Sequence, residues 1–141
     1  MIEKDIITRR LTALDDYLQD LEEIKKEHNL QSFLGNKVIR RYTERTLHLA
    51  IENCLDLANH IISYEGFREP ENNQDVFQIL LEERIIVKEL GNSLKKMAQF
   101  RNIIVHDYLK IKPEIVFAIL TKHSKDLSRF AIQIKNNFLK D

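Results

Sequence analysis

The sequence predicts an all-α protein, an up-and-down bundle of four long helices and one short helix, and three observations predict it. Apolar residues recur at steps of three and four along most of the chain. Breakers are scarce, three Gly and two Pro in 141 residues, so helices can run long. No segment alternates apolar and polar residues as a half-buried strand does. The apolar fraction of 43% supports one core, and the length fits one domain over residues 1–141.

Each element has its own warrant. Ile7, Leu11, Leu14, Leu18, Leu21 and Ile24 form one stripe of a helix over residues 3–28. Residues 29–36 interrupt the stripe, with Gly35 as a turn residue. Order resumes over residues 37–63 with Val38, Tyr42, Leu49, Cys54, Ala58, Ile61 and Ile62, and the breadth of this apolar face predicts a central helix. Gly66 and Pro70 punctuate a loop over 64–74, and Asp75 is the expected cap of a short helix. Glu82-Glu83-Arg84 marks a break. A helix from Ile86 through Leu109 follows, carrying Leu90, Leu94, Met97, Ile104 and Val105. Gly91 inside it costs ~1 kcal/mol relative to Ala, which a close helix crossing would justify. Pro113 suits the first turn of a last helix, with Ile115, Ile119, Leu127, Phe130, Ile134 and Phe138 on its core face.

Charge is balanced at 22 basic and 22 acidic residues. A neutral chain does not coat nucleic acid in bulk, so any phosphate site must be local. The lone Cys54 excludes an intrachain disulfide and reads as a buried thiol. The opening Met1-Ile-Glu-Lys-Asp is charged, so no secretory leader is expected. No run approaches the ~20 apolar residues of a membrane span. A cytoplasmic protein is therefore expected. His48, His60 and His123 show no metal-ligand spacing and read as surface or core-edge side chains. Neither a metal nor a cofactor is expected.

Function concentrates in Arg101-Asn-Ile-Ile-Val-His-Asp-Tyr108. Arg fixes phosphate charge, His moves protons near neutral pH and Tyr accepts a transferred group. On one continuous helix Arg101 and Tyr108 differ by about 20°, and Arg101 and His106 by about 140°. Arg101 and Tyr108 then share a face, while Arg101 and His106 meet only through their long side chains. A single copy supplies one imidazole, whereas phosphodiester cleavage needs one proton taken and one given. A two-fold dimer would supply the second set. The competing reading is structural, since His, Tyr and Arg on a helix commonly serve packing and ion pairing.

Arg101, four residues, His106, one residue, Tyr108 resembles the signature of HEPN-domain proteins of the HepT type. Met97-Ala-Gln-Phe-Arg-Asn-Ile-Ile-Val-His-Asp-Tyr resembles the core block of that family. Leu49-Ala-Ile-Glu-Asn-Cys-Leu-Asp-Leu-Ala-Asn-His-Ile-Ile-Ser resembles its second-helix block. Gly66-Phe-Arg-Glu-Pro and Asp75-Val-Phe-Gln-Ile-Leu follow in order, so the resemblance covers nearly the whole chain.

The resemblance implies a dimeric HEPN bundle that is a metal-independent endoribonuclease, the toxin of a toxin–antitoxin pair. Its partner would be an MntA-type minimal nucleotidyltransferase, and its substrate RNA. Arg101 and His106 would be the nuclease residues, with Asn102 as the polar residue following the Arg. Tyr108 would accept AMP groups from the partner. Lys37, Arg40, Arg41 and Arg45 are candidates for an RNA-facing patch, or else an ordinary solvated face. Gln99 and Arg84 depart from the family, which commonly carries a small residue, often Gly, at these positions. Two other functions compete. One is a non-catalytic HEPN module presenting a nucleotide or substrate to a nucleotidyltransferase subunit. The other is a dimeric helical adaptor.

Overall fold

The computed structural model describes residues 4–140 and shows an all-α bundle. Its helices are α1 (Lys4–Glu27), α2 (Leu30–Leu34), α3 (Lys37–Glu65), α4 (Asn73–Glu82), α5 (Lys88–His106), α6 (Pro113–Lys122) and α7 (Ser124–Phe138). A 3-10 turn, Tyr108–Lys110, joins α5 to α6. Glu3, where the sequence places the first helical residue, lies outside the described residues, as do Met1 and Ile2 of the charged opening.

The broad apolar face of α3 makes it the hub, since it packs against all six other helices. Leu47, Ala50, Ile51, Cys54, Leu57, Ala58 and Ile61 are each at most 1% exposed. Burial pushes the Cys54 thiol well above its ordinary range, so it is inert packing. Phe77 of α4 meets Phe130 of α7 edge-on at 6.0 Å, an arrangement worth ~0.5–1.5 kcal/mol beyond the area it buries. Gly91 permits the close α4–α5 crossing the sequence suggests. A Cβ there would lie 2.7 Å from Leu81 Cδ1.

Four expectations are corrected. Residues 29–36 are not a plain break, because α2 forms inside them. Asn29 Oδ1 accepts from Ser32 N at 2.8 Å, Ser32 Oγ accepts from Asn29 N at 3.1 Å, and Phe33 anchors the turn in the core. The cap of α4 is Asn72, whose Oδ1 accepts from Asp75 N at 2.8 Å, leaving the Asp75 carboxylate for other partners. The last helix is two. Ser124 Oγ donates to Leu120 O at 2.8 Å, and His123 adopts φ −122, ψ −8, so local side-chain bonding bends the chain between α6 and α7. The helix expected to reach Leu109 ends at His106. Asp107 leaves helical geometry at φ −135, ψ 43, and Pro113 holds Lys112 extended ahead of α6. The total is therefore seven α-helices and one 3-10 turn among the described residues, in place of four long helices and one short.

Among the described residues no helix is long and apolar enough to cross a membrane.

Candidate active site

The site lies where α5 crosses the middle of α3. Leu94, Met97 and Ala98 bury the inner face of α5 against the core, which turns Arg101 and Asn102 to the rim, each half-buried. Arg101 reaches across to α3. Its Nε donates to Glu52 Oε1 at 2.7 Å and its Nη2 to Glu52 Oε2 at 3.0 Å, a two-point fork with side chains 20% and 30% exposed. Its Nη1 donates to Asn102 Oδ1 at 3.2 Å. The same oxygen accepts from Asn73 Nδ2 of α4 at 3.3 Å. Three helices thus hold one guanidinium.

A guanidinium carries five N–H groups, and these contacts use three. One N–H on Nη1 and one on Nη2 remain. That pair suits two oxygens of a phosphate.

His48 lies one helical turn before Glu52 on α3, at i,i+4. Arg45 Nη1 lies 3.4 Å from His48 Nδ1. Arginine only donates, which assigns the neutral ring's proton to Nε2. Burial, first, lowers the His48 pKa from its ordinary value. Arg45 and Arg101 push the same way, against the opposing carboxylate of Glu52.

His106 is the last residue of α5 and is exposed. Among the described residues its ring has no hydrogen-bond or ion-pair partner. Tyr108, 53% exposed, starts the 3-10 turn. Because the helix ends between them, Tyr108 does not stand on the Arg101 face as one continuous helix would place it. Arg101 and His106 keep their common helix, and Asn102 is drawn to Arg101.

The basic patch divides. Arg45 adjoins the site through His48. Lys37 and Arg41 are exposed on α3 at four-residue steps from Arg45, while Arg40 donates instead to the Leu34 carbonyl at the end of α2. Ile103, Val105, Tyr108, Leu109 and Ile115 are all more than 40% exposed, so an apolar rim runs beside the signature.

The sequence reading gave no role to Glu52, His48 or Asn73. A signal for Glu52 was present, since a carboxylate falls between Leu49-Ala-Ile and Cys54-Leu on the helix with the broadest apolar face. No group of three or more His, Cys, Asp or Glu residues among those described could hold a metal ion.

The family model described as Ribonuclease HepT-like matches residues 14–134. The mRNA nuclease HepT of Shewanella oneidensis is 28% identical over 131 residues, covering 93% of this chain and 97% of the relative. The tRNA nuclease HepT of Aphanizomenon flos-aquae is 28% identical over 138 residues, covering 98% and 92%. Among solved structures, the tri-AMPylated Shewanella oneidensis HEPN toxin in complex with MNT antitoxin superposes with TM-score 0.86. It is 27% identical, with 94% and 98% of the two chains covered.

Proposed function

The chain belongs to the ribonuclease HepT-like family, and from that premise we propose that Arg101 and His106 make it a metal-independent endoribonuclease, the toxin of a toxin–antitoxin pair. One observation carries the reading. Glu52 holds the Nε–Nη2 edge of Arg101 and Asn102 takes one N–H of Nη1, which leaves two N–H groups unused among the described residues, and the same helix ends in an exposed imidazole with no partner among them.

The chemistry follows from RNA carrying its own nucleophile. The 2′-oxygen attacks phosphorus, forming a new P–O bond while the P–O5′ bond breaks. A base takes the 2′ proton and an acid gives one to the departing 5′ oxygen. The products are a cyclic 2′,3′-phosphate and a 5′-hydroxyl. Arg101 stabilises the charge that grows on the non-bridging oxygens. Asn102 orients Arg101. His106 serves as base or acid, and the other proton carrier comes from a second copy of the chain. The apolar rim from Ile103 to Ile115 supports that homodimer, because it places exposed hydrophobic surface beside the signature. Lys37, Arg41 and Arg45 extend the cationic surface toward the RNA backbone.

The partner is a nucleotidyltransferase antitoxin. Tyr108 offers an accessible phenol to it. The phenolic oxygen would attack the α-phosphorus of a nucleoside triphosphate, forming a Tyr–O–P bond and releasing pyrophosphate. The attached adenylates, carrying phosphate charge two residues from His106, then repel RNA.

One experiment tests this with wild type, His106→Ala and Tyr108→Phe. Purified wild type is expected to cleave RNA in EDTA, leaving cyclic phosphate ends. His106→Ala should lose at least about a hundredfold in rate. Tyr108→Phe should cleave but resist silencing by antitoxin with ATP. Equal cleavage by wild type and His106→Ala would overturn the nuclease assignment and leave the binding-module alternative.

A further inference from the structure

We infer that Glu52 is a positioning residue, holding Arg101 in the orientation in which its free N–H pair meets the scissile phosphate. The inference rests on the nuclease reading above.

Arginine on an exposed rim is ordinarily mobile, with several rotatable bonds to order. Here both carboxylate oxygens of Glu52 engage Nε and Nη2 of Arg101 at 2.7 and 3.0 Å. A two-point fork fixes the plane of the guanidinium as well as its position, which a single contact does not. Asn102 adds a third point on Nη1 at 3.2 Å. Among the described residues Glu52 has no other hydrogen-bond or ion-pair partner. The neighbour at i,i−4, His48, has its pKa lowered, and its Nδ1 faces Arg45. Arg45, two turns before Glu52 on α3, meets His48, and among the described residues it makes no hydrogen bond or ion pair with the carboxylate. Both hydrogen bonds of Glu52 among the described residues therefore go to Arg101.

The arrangement has a cost that makes it testable. A carboxylate beside Arg101 cancels most of its attraction for a polyanion. Glu52 thus weakens ground-state binding of RNA while improving orientation for the transition state. Removing its charge should move the two kinetic constants in ways that simple damage does not. In Glu52→Gln one side-chain oxygen can still accept from Nε, but the amide NH2 faces Nη2, donor against donor.

The test uses the full chain with an RNA substrate. Glu52→Gln is expected to lower kcat by about tenfold to a hundredfold, the scale of a displacement near 1 Å. Its KM should fall, and its binding should grow more salt-dependent as Arg101 is unmasked. Glu52→Asp keeps the charge on a shorter stem, so KM should stay near wild type while kcat is intermediate. In an Arg101→Ala background Glu52→Gln should change nothing further. Should Glu52→Gln fail to fold, the Asp variant and its KM-against-kcat split carry the test alone.

Three results would overturn the role: wild-type kcat and KM in Glu52→Gln, a rise in KM together with the fall in kcat, or an equal loss with Arg101 already removed. Full activity in Arg101→Ala would instead sink the nuclease assignment itself. An inactive Arg101→Ala beside an unchanged Glu52→Gln sinks only the positioning role.

Discussion

Two arginines among the described residues are held by carboxylates through more than one hydrogen bond, and they are held differently. Arg68, in the loop after α3, donates Nη1 and Nη2 to Asp75 at 2.7 Å each, and Nε and Nη2 to Glu82 at 3.1 and 3.0 Å. Every nitrogen faces an acid, and the cluster of one cation and two anions carries a net negative charge. Arg101 faces one carboxylate and one neutral amide, so its charge is balanced and two N–H groups stay open. The first arrangement straps a loop to a helix and leaves a single N–H on Nη1, with no pair for the two oxygens of a phosphate. The second orients a cation and leaves it an open edge. A salt bridge by itself does not separate structure from function; the count of unused donors does.

Removing each arginine should break that comparison most sharply. Arg101→Ala is expected to reduce RNA cleavage by about a hundred- to a thousandfold, the scale of losing one donor to a developing oxyanion. Its melting midpoint should barely move. Arg68→Ala should do the reverse, with cleavage intact and the midpoint lower by at most a few degrees, since its side chain is 46% exposed. Cleavage assays paired with thermal melts check both. Comparable losses of cleavage in the two variants would erase the distinction.

The difference was only partly legible in the sequence. Helical periodicity placed most of the cores of α1, α3 and α5, although Val38, Tyr42 and Val105 of its stripes turn out exposed near the helix ends. It could not place α2, which rests on the Asn29–Ser32 capping box and a single buried Phe33 within five residues. Nor could it split α6 from α7, since the apolar stripe runs on past His123 and only side-chain bonding interrupts it. At the site, Arg101, Asn102, His106 and Tyr108 stand together in eight residues and could be read as one motif. Glu52 lies 49 residues from Arg101 and Asn73 lies 29 from Asn102, and pairing across such separations is set by how helices cross. The end of α5 at His106 was hidden too, because residues 107–112 lack Gly and the helix stops for want of buried partners.

Acid should unpick the two regions at different pH. The Asp75 carboxyl sits at about 2, below its ordinary 3.8, held down chiefly by the Arg68 guanidinium and then by the Glu71 N–H. Its folded-state pKa is depressed, so its contribution is fully present above pH 3.8 and is lost as pH falls through about 2. The His48 pKa is lowered from 6.5 by burial and by Arg45 and Arg101. The unfolded chain then takes up that proton first, so stability falls as pH drops below 6.5. Denaturant midpoints measured from pH 8 to 2 should show two separate declines. His48→Gln is expected to flatten the upper one and Asp75→Asn the lower one. A single substitution that flattened both would mean that the two regions titrate as one unit.

The smallest effect sharpens the structural half of the comparison, because the strap is bracketed by two left-handed residues. Gly66 has φ 71 and Arg84 has φ 60. Each follows a helix end with the same bonding. Phe67 N reaches Ile62 O at 3.0 Å after α3, and Ile85 N reaches Leu80 O at 2.9 Å after α4. Glycine adopts this backbone freely, whereas a residue with a Cβ is strained in it by about 1 kcal/mol or more. Nothing lies within 4 Å of a Cβ built on Gly66, so Gly66→Ala should cost about 1 kcal/mol through backbone strain alone. Arg84 is exposed and already bears that strain. Arg84→Gly should therefore stabilise the fold by about 0.5–1 kcal/mol, less whatever the freer unfolded chain takes back. Denaturant unfolding of both variants checks the opposite signs. RNA cleavage should be unchanged in each, since neither residue touches the Arg101 fork. A change in cleavage from either would show that the strap feeds the site after all, and the Asn73–Asn102 bond from α4 is the path by which it would do so.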